Sequence, residues 1–223
     1  MNDLGSTPLR LILFGPPASG KGTQGRRLAK RLDLQYLSTG ALLRQNVEDK
    51  TKLGLIADPI LARGGYLPDD LMCDMIGEWV AQAPGGWLLD GFPRSVPQAE
   101  FLDQQLAATE NRLDAALSLE APFDELLSRI SDRVECLSCR WSGHHKETDK
   151  MGHCPECGEI VQKRSDDSVD NFTNRFREYE RLTQPLAAYY QERGLLCACD
   201  ATASRDEVTC QLLKQLSTKS NPD

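Results

Sequence analysis

The chain has 223 residues, 40% of them apolar and 26% charged, a balance that excludes a fibrous or disordered protein. Twenty-six Lys and Arg against 33 Asp and Glu leave a net charge of −7, so a long nucleic acid meets overall repulsion and a small phosphate ligand needs local basic residues. No apolar run nears the roughly 18 to 20 residues that span a bilayer, and the opening residues lack a basic-then-apolar export pattern, so a cytoplasmic protein is expected.

At about 150 residues per domain, the length suits one core carrying an insertion. Leu9–Phe14 is a short apolar run ending at Gly15-Pro-Pro, and a helical stretch follows from Lys21 to about Leu32. Further short apolar runs at 36–37, 87–89, 115–119 and 195–199 alternate with helix-patterned segments near 40–48, 53–63, 69–83, 97–108, 122–133, 170–193 and 204–217. That alternation predicts an α/β fold with a doubly wound parallel sheet. Pro97 and Pro122 suit first turns and Gly194 a helix stop, whereas Pro59 and Pro185 are expected to start a new helix or kink an existing one. Met1–Thr7 and Ser217–Asp223 read as frayed tails. Residues 134–163 differ from both flanks: they hold all three histidines and four of the eight cysteines, with little apolar periodicity. They are the predicted insertion.

Gly15-Pro-Pro-Ala18-Ser19-Gly20-Lys21-Gly22-Thr23 follows the first strand and opens a helix, the setting a phosphate loop requires. Backbone amides there wrap a phosphate, the helix start adds partial positive charge, and Lys21 reaches the β and γ oxygens. Gly22 stands where many such loops carry the hydroxyl that binds magnesium, with Thr23 one residue later, so metal is expected to be held through waters. Asp90, at the end of Trp87-Leu-Leu, reads as the carboxylate of that metal-water site, with a helix cap as the alternative.

Cys136-x-x-Cys139 and Cys154-x-x-Cys157 supply four thiolates from two tight turns, the spacing of a structural zinc site closed to water. Two disulfides or four free thiols are the alternatives, disfavoured by the cytoplasmic reading. Cys197 and Cys199 share one strand face and read as small buried side chains. His144, His145 and His153 are at most spare ligands.

Gly-Lys-Gly-Thr in this setting resembles the nucleoside monophosphate kinases, the adenylate kinases in particular, with matches over about residues 9–210. Ser38-Thr39-Gly40 with Arg44 resembles the monophosphate-binding turn and its arginine, and Gly64-Gly65-Tyr66-Leu67-Pro-Asp69 resembles the backbone that lines the acceptor adenine. Leu89-Asp90-Gly91-Phe-Pro-Arg94-Ser-Val-Pro-Gln98 is the most specific stretch. Its resemblance implies that Asp90 orders the magnesium waters, Arg94 grips the acceptor phosphate and Gln98 reads the adenine edge. Arg129, Arg133, Arg164-Ser-Asp166-Asp167 and Arg175 match the arginines and acidic pair around the lid.

The resemblance therefore implies an ATP:AMP phosphotransferase with magnesium on ATP and zinc in the lid. Its catalytic set is Lys21, Asp90, Arg94, Arg129, Arg133, Arg164 and Arg175. ATP falls to Gly15, Ala18, Ser19, Gly20, Lys21, Gly22, Thr23, Arg129 and the backbone near Ala198. AMP falls to Thr39, Gly40, Arg44, Gly65, Tyr66, Leu67, Gly91, Arg94, Gln98, Arg164 and Arg175. The implied division is core at 1–37, 68–131 and 168–223, a monophosphate-binding segment at 38–67 and a lid at 132–167, in a monomer. GTP as donor, another monophosphate as acceptor, or a zinc ribbon that binds nucleic acid beside a regulatory phosphate loop are the rivals.

Departures from the pattern are Ala18 for a loop glycine, Ala41 for an aspartate, and Val134 for an arginine after Arg133. Arg140-Trp141-Ser-Gly-His144-His145 replaces the usual lid sequence, so donor-base contacts there do not transfer. Trp141 or His144 stacked on the base, or either as a plain surface residue, are both open.

Overall fold

The computed structural model describes residues 8–220 except Pro84, Ser165 and Asp166. The predicted tail Met1–Thr7, residues 221–223 of the other predicted tail and the predicted acidic residue Asp166 lie outside the described residues.

Five strands, β1 (Arg10–Phe14), β2 (Gln35–Ser38), β3 (Trp87–Asp90), β4 (Ala115–Glu120) and β8 (Leu196–Asp200), form a parallel sheet in the order β2-β3-β1-β4-β8. Successive residues of a strand face opposite sides, and both sides are covered here. Ile12 and Phe14 join the core beneath α2 (Thr39–Glu48), α3 (Lys52–Leu61), α4 (Asp69–Gln82), α5 (Val96–Ala107) and α8 (Pro185–Glu192). Leu11 and Leu13 join the opposite core, beneath α1 (Lys21–Leu32) and α9 (Arg205–Ser220). The helices thus wind on both faces of the sheet, as the sequence pattern predicts.

A smaller cluster of Leu126, Ile130 and Phe172 joins α6 (Phe123–Ser131) to α7 (Val169–Glu178). The segment between them is the insertion, a three-stranded antiparallel sheet in the order β6-β5-β7 built from β5 (Arg133–Glu135), β6 (Ser142–His144) and β7 (Gln162–Lys163).

Two expectations need correction, at the end of α6 and the end of α9, while Pro185 opens a helix as expected and Pro59 does not. Helix α6 stops at Ser131, so Arg133 belongs to a lid strand. The stretch 170–193 is two helices joined by a π-helical turn, Tyr179–Thr183, with Pro185 opening the second helix, where its missing N–H costs no hydrogen bond. Pro59 starts no new helix; it lies inside α3, which runs two residues past it. Helix α9 continues through Ser220, so residues 217–220 are not frayed; buried Leu212 and Leu216 anchor its last turns to the sheet.

Candidate active site

All five strands point their C-terminal ends the same way, and the loops leaving β1, β2 and β3 meet there, the usual ligand crevice of an open α/β sheet. They line a cleft of about 520 Å³. Among its described lining residues, ten are Lys or Arg and four are Asp or Glu. In a chain of net charge −7, that concentration marks a polyanion site.

On the donor side, Ala18, Ser19, Gly20, Lys21, Gly22 and Thr23 line the cleft. Gly20 caps α1 at φ +91°, and a Cβ on Gly15 would lie 2.5 Å from the Leu119 carbonyl oxygen, so the loop needs both glycines. Ala18 sits at φ +64°, which explains why glycine is usual there and leaves this loop carrying about 1 kcal/mol of strain. Ser19 Oγ is buried and has no hydrogen-bond partner among the described residues, the condition of a donor set aside for a phosphate oxygen. Lys21 Nζ donates to the carbonyls of Gly15 and Pro16 at 2.9 and 2.7 Å. Burial pushes its pKa down to about 7; Arg94, Arg175 and Arg133 add to the effect and Asp90 opposes it.

Asp90 closes β3, 5% exposed. The Tyr36 hydroxyl donates to its Oδ2 at 2.7 Å, and burial together with that carboxylate raises the Tyr36 pKa well above the usual phenol value. A Cβ on Gly22 would lie 3.8 Å from the same oxygen, so the carboxylate adjoins the phosphate loop where a hydroxyl is missing. The residues present fit a magnesium ion held through waters.

Across the cleft stand Gly40, Arg44, Gly91 and Arg94. Gly91 takes φ +82° with Thr39 Oγ1 2.8 Å from where a Cβ would be, so only glycine permits this close turn. Thr39 is buried and turned inward, donating towards the carbonyls of Asp90 and Gly91. Arg94 donates from Nε to Gly91 O at 2.8 Å, and its guanidinium lies 4.4 Å from the centre of the Tyr66 ring. Thr39, Gly65, Tyr66, Leu67 and Gln98 are not lining residues of the cleft; Tyr66 and Gln98 lie against Arg94, with Leu67 buried and Gln98 3% exposed. Gln98 Oε1 accepts the Arg94 N–H at 2.8 Å, and Gln98 Nε2 donates to Asp69 Oδ1 at 2.6 Å.

Between the two sides lie Arg129, Arg133, Arg164 and Arg175. Arg129 donates to Glu125 and to the Ala201 carbonyl, Arg133 forms a two-pronged pair with Asp167, and Arg164 Nε lies 3.6 Å from Glu135. Carboxylates thus hold Arg129, Arg133 and Arg164 at the edge of the cleft. Ala198 does not line this cleft: its carbonyl accepts from Gln215, and Ala201 and Ala203 line the cleft instead.

The lid roofs this space. Thr23 Oγ1 lies 3.5 Å from Ser142 O, Arg140 bonds Gln45 and Glu48 of α2, and Glu147 bonds Arg205 of α9. The sequence singled out Arg140 only as atypical and gave no sign of its partners. Trp141 is neither a base platform nor a surface residue; it packs with Val134, Cys136 and Cys154 in the lid's own small core. His144 lines the cleft, with Nε2 3.1 Å from Asp132.

Cys136, Cys139, Cys154 and Cys157 place their sulfurs within 4.8 Å of one another, with Cys136–Cys157 and Cys139–Cys154 both at 3.5 Å. Those separations are far beyond a disulfide's ~2.05 Å and close to the ~3.8 Å edge of a tetrahedron of thiolates at ~2.3 Å from zinc. The donor set fits zinc. Cys197 and Cys199 are buried in the second core, as expected.

The adenylate kinase family profile matches residues 13–195. The chain is 40% identical to an adenylate kinase of Streptomyces coelicolor, covering 93% of this chain and 98% of that protein. It is 38% identical to one of Finegoldia magna (93% and 99% covered) and 38% identical to one of Methanocella arvoryzae (92% and 96%). With a parallel sheet, a phosphate loop at its crevice and relatives matched over nearly their whole length, the chain belongs to the adenylate kinase family, the ATP:AMP phosphotransferases.

Proposed function

We infer that this chain moves the γ-phosphoryl group of MgATP to AMP and releases two ADP. The cleft carries the reading: a phosphate loop on one wall faces Arg44 and Arg94 on the other, beneath further arginines, in an otherwise acidic protein. An AMP phosphate oxygen forms the new bond to Pγ, and the bond to the β,γ-bridging oxygen breaks, leaving on ADP. Such a transfer asks little covalent chemistry of the protein and much positioning and charge neutralisation.

In this reading the loop amides, Ser19 and Lys21 hold the donor's β and γ oxygens. Arg44 and Arg94 hold the acceptor phosphate, while Arg129, Arg133, Arg164 and Arg175 meet the charge that spreads over the moving group. Asp90, steadied by Tyr36, would hold the waters of the nucleotide's magnesium, which supplies neutralisation of the β and γ oxygens. Gln98, set directly behind Arg94 on the acceptor wall, favours adenine there, Thr39 orders the turn beside it through the Asp90 and Gly91 carbonyls, and ATP is the donor. Zinc in the lid is structural, since four thiolates leave no position for a reacting water. The chain acts as a cytoplasmic monomer, with a monophosphate-binding segment at 38–67 and a lid at 132–167 that closes over the donor.

A bisubstrate analogue of two adenosines joined by five phosphates tests the layout. Calorimetry is expected to give one analogue per chain, binding that magnesium strengthens, and displacement by AMP. Two analogues per chain, or no competition with AMP, contradicts adjoining sites.

A further inference from the structure

We propose that Asp69 is a positioning residue that sets acceptor selectivity by locking the Gln98 side-chain amide in one orientation. The proposal rests on the reading in which Gln98 meets the acceptor base. Asp69 opens α4 and Gln98 lies in the first turn of α5. One carboxylate oxygen accepts from Gln98 Nε2 at 2.6 Å and the other from the Ser95 hydroxyl at 2.9 Å. Ser95 Oγ in turn accepts the backbone N–H of Gln98, and the Arg94 N–H occupies Gln98 Oε1 at 2.8 Å.

An amide offers two N–H donors and two oxygen lone pairs, so among the described residues this network leaves one of each. That remaining pair complements a 6-aminopurine, whose ring nitrogen N1 accepts and whose amino group donates. It mismatches a 6-oxopurine, in which N1–H donates and the oxygen accepts. A flipped amide would restore the match to the 6-oxopurine, but it would set Oε1 against the Asp69 carboxylate and Nε2 against the Arg94 N–H. Both contacts are repulsive, and a buried polar group left unpaired carries a large penalty. Selectivity thus follows from a carboxylate that has no need to touch the nucleotide. Sequence alone does not reveal it, because Asp69 and Gln98 are 29 positions apart.

The test compares kcat/KM for AMP and for its 6-oxo analogue IMP, with MgATP as donor. A loss of fold alone lowers both substrates together, so the ratio isolates the lock. Wild type is expected to prefer AMP strongly, and Gln98→Ala to erase most of that preference. Asp69→Ala is expected to cut the ratio about tenfold, the scale of a hydrogen bond to a charged group, chiefly through the KM for AMP with kcat changed less. Asp69→Asn keeps the side-chain volume and can reverse its own amide, so it moves the ratio the same way by a smaller factor and serves if the alanine variant does not fold. Asp70→Ala, in the same helical turn and as exposed as Asp69 but with its carboxylate on the Leu71 N–H instead of Gln98, keeps the wild-type ratio. A ratio unchanged in both Asp69 variants while Gln98→Ala collapses it overturns the lock alone, as does an equal fall in Asp70→Ala. A ratio unchanged in Gln98→Ala, or a wild type that uses IMP as well as AMP, overturns the underlying reading of the base site.

Discussion

The Tyr36 hydroxyl and the Asp90 carboxylate meet at 2.7 Å across neighbouring strands, in a register that pairs Ser38 with Asp90. The tyrosine therefore reaches forward along its strand to fix a cleft carboxylate that adjoins the phosphate loop. Since its pKa is raised, it stays a donor throughout the working pH range. Tyr36→Phe is expected to raise the magnesium concentration needed for half-maximal rate and to lower kcat about tenfold, the scale of a charge-assisted hydrogen bond. An unchanged magnesium dependence would show that Asp90 needs no such support.

Lys21 is held at a cost while no phosphate is bound. Its pKa falls from 10.5 in the unfolded chain to about 7 in the fold. Between those values the unfolded state binds more protons, so the stability at this position rises with pH; the penalty is full below about pH 7 and gone above about 10.5. Lys21→Met should therefore stabilise the ligand-free protein at pH 7, on the order of 4 kcal/mol or somewhat less, and that gain should shrink towards pH 10. Turnover should be almost lost. Denaturant unfolding of both proteins at pH 7 and 9.5 checks this, and a difference that grows with pH contradicts it.

How much of this was legible in the sequence depended on the range of the interaction. Leu11–Phe14 and Ala115–Leu119 were readable as buried strands because both of their faces are covered, which demands unbroken apolar runs. The lid strands were not, because two or three residues carry no periodicity and the thiols with Trp141 replace an ordinary core. The end of α9 was missed because its last turn is polar beyond Leu216. The phosphate loop and the 89–98 stretch are local and were found. The partners that hold their side chains are distant: Tyr36 on Asp90, Asp69 on Gln98, and Arg140 on Gln45 and Glu48 arise from strand register and lid placement.

Zinc should be needed for the lid's stability rather than for chemistry. Elemental analysis is expected to find one zinc per chain, and Cys154→Ser to lower Tm more than it lowers activity measured well below the new midpoint. Four-thiolate binding in zinc peptides is worth about 10 to 16 kcal/mol, but here only the small lid core depends on it. Metal-stripped protein with an unchanged melting curve would end this assignment.

Arg133 opens the first lid strand and Arg164 directly follows the last, and both line the cleft that the lid strands roof. Replacing residues 135–162 by a short glycine-rich linker is expected to leave AMP affinity nearly intact, since Arg44, Arg94 and Gln98 lie outside the lid. Turnover should fall on the order of 10³-fold or more, the loss seen when an arginine is withdrawn from a phosphoryl transfer. Calorimetry beside steady-state rates separates the two effects, and equal losses would show that the lid also organises the acceptor site.

Purified protein supplied with MgATP and, in turn, AMP, CMP, UMP and GMP, with products resolved by chromatography, puts the proposed reaction to its plainest test. The cleft predicts two ADP formed for each ATP and AMP consumed, and turnover on AMP well above the other three. Turnover on CMP or UMP above that on AMP, or no phosphoryl transfer to any of the four, would contradict it.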